Sequence, residues 1–257
     1  MKGYEICFSP TGGTRKAADL LAELRAVPLF SETVPVDLTD SRADFSTVVL
    51  RAEDVAVIAV PSYGGRVPAT AVQRLSAVRG NGARAVLVCV YGNRAYEDTL
   101  AELQDTAKQA GFRVVAAVAA IAEHSIVRQI AAGCPDDGDQ RQLADFAKSI
   151  QAKLEKEDDS EPAIPGNRPY KKGGGSGMVP EPTKDCVKCG LCAEKCPVQA
   201  IDPKDPRKVD KNACISCMRC VAVCPHGARK VNGVLLAAVR AMLKKACSGR
   251  KEPELYL

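Results

Sequence analysis

Eight of the twelve cysteines fall in two copies of one word, C-x2-C-x2-C-x3-C-P. Cys186, Cys189, Cys192 and Cys196 stand before Pro197, and Cys214, Cys217, Cys220 and Cys224 stand before Pro225. Each position of the second copy lies 28 residues after its counterpart, as Cys214 does after Cys186, so the segment is an internal duplication. Three thiolates at x2 spacing let a turn-rich backbone wrap three corners of a cubane [4Fe–4S] cluster. The fourth, followed by proline, is carried away to the other cluster. The expected sets are Cys186, Cys189, Cys192 and Cys224 for one cluster, and Cys214, Cys217, Cys220 and Cys196 for the other. Structural zinc sites use C-x2-C pairs with a longer spacer, and three cysteines this close crowd a single tetrahedral ion. A disulfide framework needs an oxidising compartment, which nothing else in the chain suggests.

A second constellation lies near the start. The apolar run Tyr4–Ser9 leads into Ser9-Pro10-Thr11-Gly12-Gly13-Thr14, and a helical pattern follows. Hydroxyls, two glycines and a helix start converge N–H and O–H donors on a terminal phosphate. The Walker ending and the G-x-G-x-x-G pattern are both absent. Alone, the loop also reads as an ordinary serine- or threonine-capped turn. Two further loops strengthen it: Pro61-Ser62-Tyr63-Gly64-Gly65-Arg66, and Tyr91-Gly92-Asn93-Arg94-Ala95-Tyr96-Glu97. In a doubly wound sheet all three leave the carboxyl edge together. Each of the later two offers an aromatic face beside glycines that let backbone approach a flat ring. A phosphate loop with two aromatic loops points to flavin mononucleotide (FMN). The candidate contacts are Ser9, Thr11, Gly12, Gly13, Thr14, Ser62, Tyr63, Gly64, Gly65, Tyr91, Gly92, Asn93 and Tyr96.

On these residues the chain resembles two families. Residues 1–155 resemble flavodoxins: Ser9–Thr14 looks like their S/T-x-T-G-x-T loop. Tyr63 falls where they often place a stacking Trp, and Tyr96 where they place a stacking Tyr. The resemblance implies strand order 2-1-3-4-5. Asn93 stands where that loop often carries an acid, so the family's flavin potential does not carry over. The cysteine words resemble bacterial-type ferredoxins with two [4Fe–4S] clusters, and the whole chain is similar to bacterial proteins that fuse the two. Met218 replaces Gly190 in the second word and His226 follows Pro225. Either is a candidate for tuning a cluster's potential, with surface variation as the alternative.

The elements that must position these groups follow from periodicity. Strands are expected at Tyr4–Ser9, Thr33–Leu38, Asp54–Val60, Ala83–Val90 and Arg113–Ile121. Helices are expected at Thr14–Ala26, Ala69–Val78, Glu97–Ala110 and Asp139–Lys153, the last capped by Asp139. The predicted fold class is α/β: a flavodoxin-like doubly wound five-stranded parallel sheet over 1–155, then a linker over 156–180. A small α+β dicluster ferredoxin domain over 181–232 and a C-terminal docking helix and tail over 233–257 complete it. Ile164–Tyr170 is a linker stretch able to pack along a surface. The glycine run at 173–177 follows no strand and opens no helix, so it is not a dinucleotide loop. Val234, Leu235, Ala238, Val239, Met242 and Leu243 share one helical face, expected to dock. With no aromatic residue between Tyr170 and Tyr256, the cysteine region depends on metal ligation for much of its folding free energy.

The length of 257 residues suits two domains at about 150 residues each. Lys and Arg outnumber Asp and Glu by 15 to 8 over residues 180–257, against 19 to 23 over 1–170. An oxidised cluster with four thiolates carries about −2, so the basic excess reads as cluster compensation, and nucleic acid is not expected. The start reads as lacking a signal peptide, and Val114–Ala122 is too short to span a bilayer. Cys7, Cys89, Cys134 and Cys247, beside oxygen-sensitive clusters, point to a reducing cytoplasm. His124 reads as structural more readily than catalytic, although it is near enough in sequence to approach the flavin edge. The expected function is electron transfer between FMN, two [4Fe–4S] clusters and a redox partner protein. The alternatives are a flavin-dependent reductase of a quinone-like acceptor and a redox-sensing interaction protein.

Overall fold

The structure is a computed structural model that describes residues 1–21, 31–173 and 177–257. Five parallel strands form as expected: β1 (Gly3–Cys7), β2 (Thr33–Asp37), β3 (Val55–Pro61), β4 (Arg84–Tyr91) and β5 (Arg113–Ile121). Their order is β2-β1-β3-β4-β5, with every pair parallel. Every residue of β4 is buried, which is why the strand reads as a near-continuous apolar run. The sheet is wider than expected. β8 (Glu254–Tyr256) pairs antiparallel with β5, placing Leu255 opposite Val118.

Four helices cover the two faces: α1 (Gly13–Asp19), α2 (Ala69–Leu75), α3 (Thr99–Gln109) and α4 (Asp137–Glu155). Of the expected helix Thr14–Ala26, residues 22–26 lie outside the described residues. Helix α3 starts two residues later than expected because Glu97 takes φ 43, a left-handed bend no helix can include. Asp139 is not the cap of α4. Asp136 is, accepting from the amides of Gly138 and Asp139, while the Asp139 carboxylate accepts from the Asp136 amide at 2.9 Å. This reciprocal pair is a capping box.

The segment after α4 runs along α3. Asp98 accepts from the amides of Asn167 at 2.8 Å and Lys171 at 2.7 Å; Asp105 pairs with Arg168 at 2.7 Å; and Glu161 pairs with Lys108 at 2.9 Å. Arg66 lies 4.8 Å over the Tyr170 ring. The glycine run's residues 174–176 lie outside the described residues.

The duplication is visible in the C-terminal region. Short helices α5 (Leu191–Glu194) and α6 (Arg219–Ala222) repeat at the same offset, flanked by a small antiparallel ribbon of β6 (Glu181–Pro182) and β7 (Arg229–Lys230). Left-handed residues recur in register too: Lys188 with Ser216, Gly190 with Met218, and Gln199 with Gly227. Last comes α7 (Gly233–Ala246), capped by Asn232. Its expected docking face engages only at one end. Leu243 is buried, whereas Val234 is 80% exposed and Leu235 52% exposed.

Candidate functional site

Four loops leave the carboxyl edge of the sheet and line one open cavity of about 330 Å3. From the first loop, Pro10, Thr11, Gly13 and Thr14 line it. Gly12 does not line it. At φ 91 it makes the left-handed turn that aims the chain into α1, a conformation that favours glycine. Ser9 sits behind the loop, where its hydroxyl accepts from the Arg15 amide and its own amide donates to Thr39 Oγ1, both at 2.9 Å.

From the second loop, Ser62, Tyr63 and Gly64 line the cavity. The turn is closed by Tyr63 and Arg66 backbone bonds and clamped by Glu102. That carboxylate accepts from Arg66 Nε and Nη2, each at 2.7 Å, and from the Val67 amide at 2.8 Å. Gly65 faces the next loop instead of the cavity, with the Glu97 side chain against it.

From the third loop, Tyr91, Gly92 and Arg94 line the cavity, but Asn93 and Tyr96 do not. Asn93, at φ 60, turns to the chain after α7. It donates to the carbonyls of Cys247 and Gly249 and accepts from the Lys251 amide, all within 3.0–3.1 Å. Tyr96 packs edge-on against Tyr91 at 5.2 Å and bonds to Tyr256 Oη at 2.7 Å. The expected stacking position thus supports Tyr91 from behind, because β8 draws Tyr96 outward.

The fourth loop supplies Ala122, Glu123, His124, Ser125 and Ile126, of which only His124 was singled out in the sequence. The place of this loop after the fifth strand was the available signal. His124 Nδ1 accepts from the amides of Ile126 and Val127, leaving the proton on Nε2. Burial, with Arg94 nearby, holds its pKa below the usual histidine value. Gly92 is required beside it: a Cβ there would stand 2.6 Å from the imidazole. The remaining wall comes from Ile215 and Ser216 of the cysteine region and from Val239, Met242 and Leu243 of α7.

The eight word cysteines are free thiols collected into two further cavities. One is lined by Cys186, Cys189, Cys192 and Cys224, the other by Cys196, Cys214, Cys217 and Cys220. Each takes three cysteines from one word and the fourth from the other, the crossed pattern expected from the spacing. Matching backbone amides point at the fourth cysteines: Ala200 donates to Cys196 Sγ and Ala228 to Cys224 Sγ, both at 3.3 Å. Burial pushes the thiols of Cys217 and Cys220 up to about 12, so a metal entering this cavity displaces protons. Among the described residues no other donor set joins four soft ligands. The three-residue group of Cys134, Asp136 and Asp139 is engaged by Arg250.

Residues 185–229 match the 4Fe–4S dicluster domain family. With the β2-β1-β3-β4-β5 order, this decides the architecture. The chain joins a flavodoxin-like sheet to a dicluster ferredoxin region. Over 43 residues the chain is 46% identical to an uncharacterised protein of Methanocaldococcus jannaschii, and over 55 residues 40% identical to trichloroethene reductive dehalogenase of Dehalococcoides mccartyi. It spans only 16% and 10% of those curated relatives' lengths. Among solved structures, the flavodoxin of Streptococcus pneumoniae TIGR4 matches 60% of this chain and 99% of its own, with TM-score 0.43 and 20% identity. The Fusobacterium nucleatum flavodoxin bound to flavin mononucleotide covers the same shares at TM-score 0.40 and 15% identity. An NADH:FMN oxidoreductase in its apo form covers 59% of this chain and 88% of its own, at TM-score 0.42 and 16% identity.

Arginines seat the ferredoxin region on the flavodoxin-like sheet edge, Arg42 reaching Glu194 at 4.0 Å. Arg219 Nη1 donates to the carbonyls of Ser9 and Pro10 at 3.4 and 3.1 Å, and Arg74 Nη2 donates to Pro197 O at 2.5 Å. Ile215 lines both the sheet-edge cavity and the cavity of Cys196, Cys214, Cys217 and Cys220. The cavity of Cys186, Cys189, Cys192 and Cys224 shares no lining residue with the sheet edge. Among the described residues no helix is long and apolar enough to cross a membrane.

Proposed function

We propose that this protein transfers electrons between FMN at the sheet edge and two [4Fe–4S] clusters, and through the outer cluster to a redox partner protein. The observation that carries the reading is Ile215, which lines both the sheet-edge cavity and the cavity of the inner cysteine set. The donor chemistry fits. Eight soft thiolates in two crossed sets suit two cubane clusters, and the size and polar-to-aromatic grading of the large cavity suit a phosphorylated flavin. When bound, FMN exchanges two electrons in single steps and each cluster exchanges one.

The chain's own residues divide the remaining work. Thr11, Gly13 and Thr14 present hydroxyl and amide donors to the phosphate end. Tyr63 and Tyr91 offer ring faces, Tyr91 held by Tyr96 behind it. Ile215, Val239 and Leu243 form the apolar wall of the cavity facing the sheet edge, with Met242 at its rim. Arg219 and Arg74 keep the inner cysteine set against the edge. Holding two carriers in one chain raises the effective concentration of each at the other.

A second reading has its own observation: Arg94, Glu123 and His124 add polar groups to the cavity beyond what the phosphate loop supplies. These suit a small acceptor reduced at the flavin, making the protein a reductase supplied by its own clusters.

Anaerobically purified full-length protein is expected to hold about eight irons and one FMN. Cys189→Ala is expected to lose cluster signal and keep flavin. A zinc-only preparation overturns the reading, and clusters without flavin overturn its FMN half. Anaerobic mixing with NADH, NADPH and reduced ferredoxin separates carrier from reductase. Exchange with the protein donor alone supports the carrier. Turnover of a quinone with nicotinamide alone supports the reductase.

A further inference from the structure

The 28-residue repeat contains its own control. Backbone conformation, helix length and amide-to-sulfur bonds recur between the copies, yet one buried position differs in charge. Ile201 of the first copy is 4% exposed, and its counterpart in the second copy is Arg229, 2% exposed. Arg229 forms no ion pair with any carboxylate among the described residues. It donates through Nη1 to Pro180 O at 3.2 Å and through Nη2 to Pro206 O and to Cys192 Sγ, the latter at 3.4 Å. Its Nε is buried with no hydrogen-bond partner. A guanidinium so enclosed is costly unless a negative charge lies close by. Among the described residues, the acceptor beside it that can carry negative charge is Cys192 of the outer cysteine set, whose cavity it lines.

We propose that Arg229 separates the two clusters in reduction potential, so that the first electron entering the pair rests on the outer cluster, held by Cys186, Cys189, Cys192 and Cys224. This rests on the two-cluster reading above. Reduction adds one electron to a cluster, breaks no bond and moves no proton, so the reduced form carries one more negative charge. A fixed cation and an N–H donor at a ligand sulfur stabilise that form. Among the described residues its direct sulfur contact is with Cys192 alone, and it lines the outer cavity and not the inner one. The outer cluster therefore gains more. Ile201 offers the inner cluster neither a charge nor a donor. An electron delivered by a one-electron donor protein is thus stored at the outer cluster and reaches the flavin edge through the inner one.

The test is an anaerobic dithionite titration of the full chain, with mediators, followed by electron paramagnetic resonance of the reduced clusters. Iron is counted in every sample. The wild type is expected to reduce in two resolved steps. In Arg229→Ile, which places the first-copy residue in the second copy, the higher step is expected to fall toward the lower. The preference for the outer cluster should drop at least tenfold, equivalent to 59 mV for one electron. Arg229→Gln is neutral yet can still bond the two proline carbonyls, and is expected to do the same. Arg229→Lys is expected to keep most of the separation. Fewer than about eight irons in the wild type overturns the two-cluster reading itself. Full iron with unmoved steps in either neutral variant overturns the role of Arg229 alone. Loss of iron in both neutral variants also overturns it, because the residue is then a scaffold.

Discussion

Replacing Asn93 separates two accounts of the loop after β4. Its side chain makes three hydrogen bonds to the chain beyond α7, and its φ of 60 lies in the left-handed region. Asn93→Ala removes all three bonds, each worth about 0.5–1.5 kcal/mol net. It also places a residue without a local hydrogen-bonding side chain at that φ, for about 1 kcal/mol more. Cys247 O, Gly249 O and the Lys251 amide are near enough to the surface to regain water, so the central figure is about 3 kcal/mol, or roughly a hundredfold in local opening. The loss should fall on the tail. Amide hydrogen exchange over 254–256, where β8 joins β5, is expected to accelerate by about that factor, with core strands β3 and β4 unchanged. Asn93→Gly removes the same bonds without the strain and should recover about 1 kcal/mol of it. Unchanged exchange at 254–256, together with weakened FMN binding, would return Asn93 to the cofactor site and refute the clamp.

Glu102 clamps the Tyr63 turn from a mostly buried position, so Glu102→Gln is expected to cost about 2–3 kcal/mol in urea unfolding. That is below the range for fully buried pairs because Arg66 keeps access to water. Gly92→Ala drives a methyl into His124 and is expected to weaken FMN binding about tenfold or more, read by quenching of FMN fluorescence. Asp98 is held below the usual aspartate value, first by the Lys171 amide and then by the Asn167 amide. Its folded pKa is the lower one. The grip on the linker should therefore be complete above the ordinary value of about 3.9 and weaken as pH falls through the folded value. Pepsin cleavage within 156–172 should appear only in that acid range; cleavage independent of pH would sink the assignment.

The central strands were legible because parallel strands buried on both faces read as near-continuous apolar runs, as in residues 85–90. The capping of α4 was legible to within three residues, since Asp136, Asp137 and Asp139 all suit a helix start and only geometry selects Asp136. The linker's polarity suggested a free segment, with one stretch able to pack. Several of its charged groups instead find partners on α3 more than fifty residues away in sequence, as Glu161 does with Lys108, while Asp159 pairs with Arg113 of β5. The docking face of α7 was legible as a stripe, but not which part of it docks. That depends on the Asn93 clamp, the Arg250 pairs with Asp136 and Asp139, and β8.

The cysteine words alone pointed to two sets of soft donors, because three thiols at x2 spacing lie on one local turn and the duplication repeats that turn; the fold brings the fourth cysteine of each set across from the other copy. The glycine- and hydroxyl-rich first loop was likewise a local signal, whereas the strand order followed from the flavodoxin resemblance. Tertiary structure decided which side of the third loop faces the cavity, since left-handed bends at Asn93 and Glu97 turn Tyr96 toward the three-residue strand β8, whose Leu255 pairs with the distant Val118 of β5. It also decided that the second cysteine set, and not the first, meets the sheet edge at Ile215, and that Arg229 is buried against a sulfur. Those outcomes depend on which surfaces of the chain are brought together, a quantity set by the whole fold and carried by no short stretch of sequence.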